Sequence, residues 1–180
     1  MKKEIILKGK GFIIRTWKKG DEFSLAKNAN NKKIAKNMLE GFPNPYTLDE
    51  AKKWVKKMLY KYRTELPVEL VIDIDGKNVG AMGGEIKKEQ SFIFGFGYWL
   101  GEDYWGRGIM SKAIKLYINY IFKNFKGITR IEAWVFPWNK GSQKVLLKNG
   151  FKLEGISRKS YLKDGKILDN YNFAKLRNDR

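Results

Sequence analysis

The sequence predicts a mixed α/β sandwich: one domain over residues 1–180, with a mostly antiparallel sheet flanked by helices. Three observations predict it. Runs of period-two alternation recur along the chain. Asp75-Gly76 and Asp164-Gly165 sit between such runs as hairpin turns. Between the strands lies a long apolar helix over 108–126, and a crossover of that length makes one central strand pair parallel.

Phe12, Ile14 and Thr16 alternate with Ile13, Arg15 and Trp17, so Gly11 to Trp17 reads as the first strand. A helical region starts at Gly20-Asp21, marked by Leu25, Ala29 and Met38, and Asn28 to Asn31 breaks it in two. Gly41 to Pro45 is a loop. Thr47-Leu48-Asp49-Glu50 is a capping box, and the helix it opens buries Leu48, Ala51, Val55, Met58, Leu59 and Tyr62. After Pro67, Val68, Leu70, Ile72 and Ile74 alternate with Glu69, Val71 and Asp73. The hairpin at Asp75-Gly76 returns as Asn78 to Lys87.

In the next strand, Ser91 to Leu100, Phe92, Phe94, Phe96 and Tyr98 share one face. Ile93, Gly95, Gly97 and Trp99 share the other, and two glycines on one face mark a bulge or a close approach. On the long helix Lys112, Lys115, Asn119, Lys123 and Lys126 form a polar stripe; the apolar remainder packs on the sheet. Thr129 to Phe136 is a strand, Asn139 caps a short helix over Lys140 to Asn149, and Phe151 to Tyr161 with Ile167 to Leu176 is the last hairpin. The element order is β-α-α-β-β-β-α-β-α-β-β.

Composition narrows the chemistry. The 180 residues contain no cysteine and no histidine. That excludes disulfides, a thiol nucleophile and a Ser-His-Asp triad, and removes the usual transition-metal ligands, so no metal site is expected. The run at the N-terminus, MKKEIILKGKGF, is too short for a signal peptide, and no stretch is long enough to span a bilayer, so a cytoplasmic protein without membrane contact is expected. The net charge of +18 points to anionic partners: a phosphorylated cofactor, a ribosome or another polyanion.

The segment Glu102 to Gly108 leads from a buried strand into the long helix, with Gly106 and Gly108 just before it. Glycines allow close backbone approach, and the first N–H groups of a helix favour an anion, so by itself the segment reads either as a plain tight turn or as a phosphate or pyrophosphate cradle.

Two stretches carry a resemblance to a known family. Tyr104-Trp105-Gly106-Arg107-Gly108-Ile109 resembles the acetyl-CoA pyrophosphate loop of the GNAT N-acetyltransferases, in the RimJ/RimL-like branch. Asn139-Lys140-Gly141-Ser142 with Lys148-Asn149-Gly150-Phe151 resembles that branch's second motif. The resemblance covers nearly the whole chain. It implies a GNAT-like fold, acetyl-CoA as cofactor and transfer of acetyl to a primary amine, on a protein N-terminus or a small molecule. It also leaves room for a homodimer. Three positions depart from the family pattern: Asp103 opens the loop, Leu146 stands where many members carry an acid tyrosine, and Gly95 stands at the place of a strand carboxylate.

Under this resemblance the phosphates take backbone N–H groups from Trp105, Gly106, Arg107, Gly108, Ile109 and Met110, with the Arg107 charge nearby. An N–H near Tyr98, Trp99 and Leu100 faces the thioester oxygen. Asn139 holds pantetheine amides, and Ser142 serves the departing thiolate. Without cysteine an acyl-cysteine intermediate is excluded, so the amine attacks directly in a ternary complex. Glu85 is the favoured general base, with Tyr98 and Glu102 as weaker choices. At pH 7 an α-amine of pKa ~7.8 is roughly 10% neutral and a lysine amine of pKa ~10.4 under about 0.1%, which favours an α-amine. Two other readings remain open: a basic nucleic-acid- or ribosome-binding module, and a CoA-binding sensor without turnover.

Overall fold

The computed structural model describes residues 6–179; Met1 to Ile5, where the N-terminal run begins, lie outside the described residues. Eight strands and five α-helices follow in the order β1 (Ile6–Gly9), β2 (Phe12–Arg15), α1 (Asp21–Ala29), α2 (Lys32–Ala35), α3 (Leu48–Lys61), β3 (Leu70–Ile74), β4 (Lys77–Lys87), β5 (Gln90–Leu100), α4 (Ile109–Asn124), β6 (Arg130–Val135), α5 (Lys140–Lys148), β7 (Lys152–Lys163) and β8 (Lys166–Leu176). The strands are ordered β1-β2-β3-β4-β5-β6-β8-β7. β5 and β6 run parallel, Ile93 opposite Arg130, and the pairs β1/β2, β2/β3, β3/β4, β6/β8 and β7/β8 are antiparallel.

The expected first strand is β2, the second arm of a hairpin whose first arm, β1, escaped sequence reasoning. Gly11 takes a left-handed φ of 82° and turns β1 back on β2, and the chain leaves the strand at Arg15 rather than at Trp17. The other expected elements lie within a few residues of their places. Asn31 ends the break between α1 and α2 by capping α2, its side chain accepting from the N–H groups of Lys33 and Ile34. Thr47 caps α3 through the N–H of Glu50.

The chain divides into two compact units, Met1–Gly83 with Tyr98–Ala113 and Gly84–Gly97 with Ile114–Arg180. The core of the first unit gathers Leu25 and Ala29 of α1, Val55 and Met58 of α3, Val71 of β3 and Trp99 of β5. Beside it Arg15 is buried in an ion trio that alternation in β2 and β3 did not reveal. Its guanidinium donates to both Asp21 oxygens at 2.7 Å and to Asp73 Oδ2 at 2.6 Å. Asp21 Oδ2 also accepts the N–H of Lys18 and Asp73 Oδ1 accepts that of Gly76, so every carboxylate oxygen of the trio is hydrogen-bonded. Removing one partner of such a group leaves a buried, unpaired charge.

In the second unit Phe94 and Phe96 of β5 meet Tyr117 of α4, with ring centroids 6.4 Å and 5.3 Å apart, and Phe96 stacks on Phe151. These contacts place α4 on the aromatic face of β5. The lysine and asparagine stripe of α4 is exposed along its length, as its spacing predicts. The expected close approach involves Gly84, where an added Cβ would lie 1.8 Å from the carbonyl oxygen of Gly95. Gly97 instead faces open space. No helix among the described residues is long and apolar enough to cross a membrane.

Candidate active site

In the first unit β5 ends at Leu100, and the chain makes one 3₁₀ turn, Glu102–Tyr104, before α4. The turn is fastened at three places. Gly101 donates its N–H to Val79 at 2.8 Å, the Trp105 indole donates to the Leu100 carbonyl at 2.7 Å, and the Glu102 carboxylate accepts from Asn31 Nδ2 at 2.7 Å and from Lys33 Nζ. Gly106 and Gly108 follow with φ of 74° and 71°, a left-handed conformation that side chains disfavour. A Cβ on either would meet nothing within 4 Å, so the loop borders open space. The Gly108 carbonyl accepts the N–H of Lys112, which starts α4. Glycine brings no side chain to cap that helix start, and Ile109 and Met110 present first-turn N–H groups with no intrahelical acceptor. The geometry is that of an anion cradle at a positive helix end.

Among the residues expected there, Trp99 and Leu100 are buried, Tyr98 is half-buried, and Trp105 and Arg107 are exposed. The Arg107 guanidinium lies over the Tyr104 ring at 5.6 Å. The Trp105 N–H, one of the expected donors, is already used: it donates to the Glu102 carbonyl at 3.0 Å and closes the 3₁₀ turn. Of the expected backbone donors this leaves those from Gly106 onward. Met110 turns its side chain into the interior, leaving its backbone toward the helix end.

In the second unit Asn139 caps α5, its side-chain oxygen accepting the Ser142 N–H at 3.1 Å. The Asn139 amide NH₂ makes no hydrogen bond among the described residues and is left to offer a ligand. Ser142 is half-buried in the first turn of α5, and Leu146, one turn on, is fully buried. A side chain at that position points into the core, so Leu146 supplies no proton and packing is its role. Trp138 stacks on Phe136 at 4.9 Å, and Phe136 meets the edge of Tyr161 at 5.7 Å. Glu85 is exposed on β4. Glu102, considered as a base, is unsuited to it: hydrogen bonds from Lys33 first and Asn31 next hold its carboxyl below the usual carboxylate range. A base needs the opposite shift.

The fastening of the turn by Asn31, Lys33 and the Trp105 indole escaped sequence reasoning. The cap residue Asn31 and the acid Glu102 stand 71 positions apart, and no local pattern links them.

The family model described as an acetyltransferase (GNAT) domain matches residues 12–152. The chain belongs to the GNAT acetyltransferase family. Its matched span contains β2 through α5, both motifs and the cradle. Among GNAT relatives it is 43% identical over 83 residues to the probable N-acetyltransferase YjcK of Bacillus subtilis, covering 46% of this chain and 45% of that protein. It is 31% identical over 111 residues to the L-amino acid N-acetyltransferase AaaT of Escherichia coli, covering 61% of this chain and 68% of that protein. The chain spans about half the length of the first curated relatives it matches. In fold it matches the ribosomal-protein-S5-alanine acetyltransferase of Vibrio fischeri with a TM-score of 0.84 at 24% identity, over 97% of this chain and 98% of that one. RimL and RimJ structures share the same GNAT fold, the branch that the motifs resemble.

Proposed function

We propose that the protein is an acetyl-CoA-dependent N-acetyltransferase of cytoplasmic type, transferring acetyl to an α-amine by direct attack. The observation that carries this reading is the loop before α4: two left-handed glycines, open space where their side chains would be, and a helix start led by a residue without a side chain, one 3₁₀ turn beyond a buried strand. The residues present fit a pyrophosphate. Gly106 to Met110 would hold it by backbone N–H groups, with the Arg107 cation alongside. When bound, acetyl-CoA supplies an acetyl group activated as a thioester.

The remaining work falls to the chain. An N–H from the end of β5, over Tyr98 to Leu100, orients and polarises the acyl oxygen. The Asn139 amide NH₂ would hold the pantetheine amides, and the Ser142 hydroxyl would hydrogen-bond the departing thiolate. Glu85, exposed and without an ion pair among the described residues, takes the proton that the amine loses. Leu146 stands where many family members carry an acid tyrosine, so that tyrosine is absent here. A weakly basic acceptor suits so spare a set of groups, because an α-amine needs little help to become neutral at pH 7. The names of two relatives support that choice: an L-amino acid, and an alanine of a ribosomal protein acetylated on nitrogen, both offer α-amines. The +18 charge is consistent with an acceptor on an acidic or RNA-bound protein, a ribosomal protein included.

The test is calorimetry and thermal shift with acetyl-CoA, ADP and heparin at two salt concentrations, followed by thiol release with α-amines and ε-amines side by side. The reading expects salt-tolerant binding of acetyl-CoA and turnover with α-amines. Binding without turnover on any amine assigns a sensor. A response to heparin alone, erased by salt, assigns the basic binding module and overturns the cradle.

A further inference from the structure

The loop that forms the cradle has little of its own to hold it. Gly106 and Gly108 carry no side chains, and nothing lies within 4 Å of where their Cβ atoms would be. The loop's position is therefore set from its two ends. Downstream it is fixed by α4. Upstream it is fixed by the 3₁₀ turn, and one residue of that turn ties it to a distant element. The Glu102 carboxylate accepts from Asn31 Nδ2 at 2.7 Å through one oxygen and from Lys33 Nζ through the other. Asn31 is itself fixed, because its side-chain oxygen caps α2 through the N–H groups of Lys33 and Ile34 at 2.8 Å and 3.3 Å. The neighbouring Asn30 accepts the N–H of Tyr46 at 3.1 Å, which holds the loop before α3 to the same turn.

An acid four residues before a phosphate cradle is unfavourable on charge alone. Glu102 would repel a pyrophosphate, and Asp103 adds a second, exposed carboxylate. Glu102 differs from Asp103 in being matched: Lys33 cancels its charge and Asn31 fills its second oxygen. No ion pair or hydrogen bond of the Asp103 side chain occurs among the described residues.

We infer that Glu102 is a positioning residue for the phosphate cradle: clamped by Asn31 and Lys33, it pre-sets the loop so that its N–H groups converge before the cofactor arrives. This rests on the acetyl-CoA reading above. Pre-organisation raises affinity by lowering the ordering cost of binding, so loss of the clamp weakens binding even though it removes a negative charge. The sign of the effect separates the two physical causes. Simple electrostatics expects removal of Glu102 to tighten anion binding; positioning expects it to loosen.

The experiment titrates coenzyme A by calorimetry into the wild-type protein and into Glu102→Ala, Glu102→Asp, Glu102→Gln and Asp103→Ala, with the melting temperature of each ligand-free protein measured alongside. Positioning expects Glu102→Ala to bind about tenfold more weakly, the scale of one lost charge-assisted contact. Glu102→Asp, which keeps the charge and shortens the reach, weakens binding in the same direction. Glu102→Gln, which keeps an acceptor for Asn31, restores part of the loss. Asp103→Ala, which removes the same charge with no clamp, binds as tightly as wild type or tighter. Unchanged or tighter binding by Glu102→Asp overturns the inference, and that variant decides the matter if the alanine protein fails to fold. If the wild-type protein itself does not bind coenzyme A, the acetyl-CoA reading fails instead, and the two failures are distinct.

Discussion

Two helix starts in this protein are closed in different ways. α5 opens with Asn139, whose side-chain oxygen turns back onto the Ser142 N–H and closes the helix end with the chain's own atoms. α4 opens with Gly108, which has no side chain to turn back, and its first turn carries no acid. The first is closed by a side chain; the second starts from a residue that has none to offer. Both helix starts carry the same partial positive charge. The visible difference is at the residue before each helix: Asn139 brings a cap oxygen, whereas Gly108 brings no side chain and adopts φ of 71°.

The largest effect expected from this comparison is at Gly108. Gly108→Asp places a carboxylate at the open end of α4. It is expected to abolish coenzyme A binding in calorimetry, through repulsion of the phosphates and strain at the left-handed position. If affinity is retained, the α4 start is not the cradle. Next comes Ser142→Ala, which leaves the α5 cap intact, since Asn139 binds the backbone N–H of residue 142. Turnover with the best α-amine is expected to fall about tenfold to a hundredfold, within the usual range for one acid–base group, with cofactor affinity nearly constant. Equal losses in binding and turnover would assign Ser142 to ligand grip rather than to the leaving sulfur.

A smaller effect is expected at the closed helix start. Asn139→Ala removes the cap and lowers stability by about 1 kcal/mol in denaturant unfolding, with a modest rise in KM for acetyl-CoA. The pH profile sharpens the acceptor. With an α-amine, kcat/KM is expected to rise with pH and level off near ~8, where the amine becomes neutral; a continued rise toward ~10 would point to a lysine acceptor.

A second contrast, within β5 and its neighbour, has the same logic on stability. Gly84 has no room, with Gly95 oxygen 1.8 Å from an added Cβ, whereas Gly97 borders open space. Gly84→Ala is expected to destabilise by about 1–3 kcal/mol, the usual cost of overpacking, and Gly97→Ala to change melting little.

Much of this was legible in the sequence. Hairpin dipeptides, the capping box at Thr47 and the exposed stripe on α4 are local patterns, and the structure follows them within a few residues. The glycine pair before α4 was legible for the same reason, because a left-handed turn into a helix demands glycine where it occurs. The first hairpin was less so: β1 is four residues long and ends at Gly9, too short for a clear alternation.

The sequence by itself determined most elements, their order after the first hairpin and the parallel β5/β6 crossover, since each depends on neighbours a few residues apart. Tertiary structure decided which side chains meet. It buried Arg15 against Asp73, 58 positions away, where alternation alone gave no hint of an ion trio. It diverted the Trp105 N–H into a 3₁₀ turn and gave Glu102 to Asn31 and Lys33, turning a weak candidate for a base into an anchor. Periodicity and turn chemistry are properties of short stretches. Contacts across 58 or 71 residues arise only when the strands and helices pack, and those contacts decide which polar groups remain for chemistry.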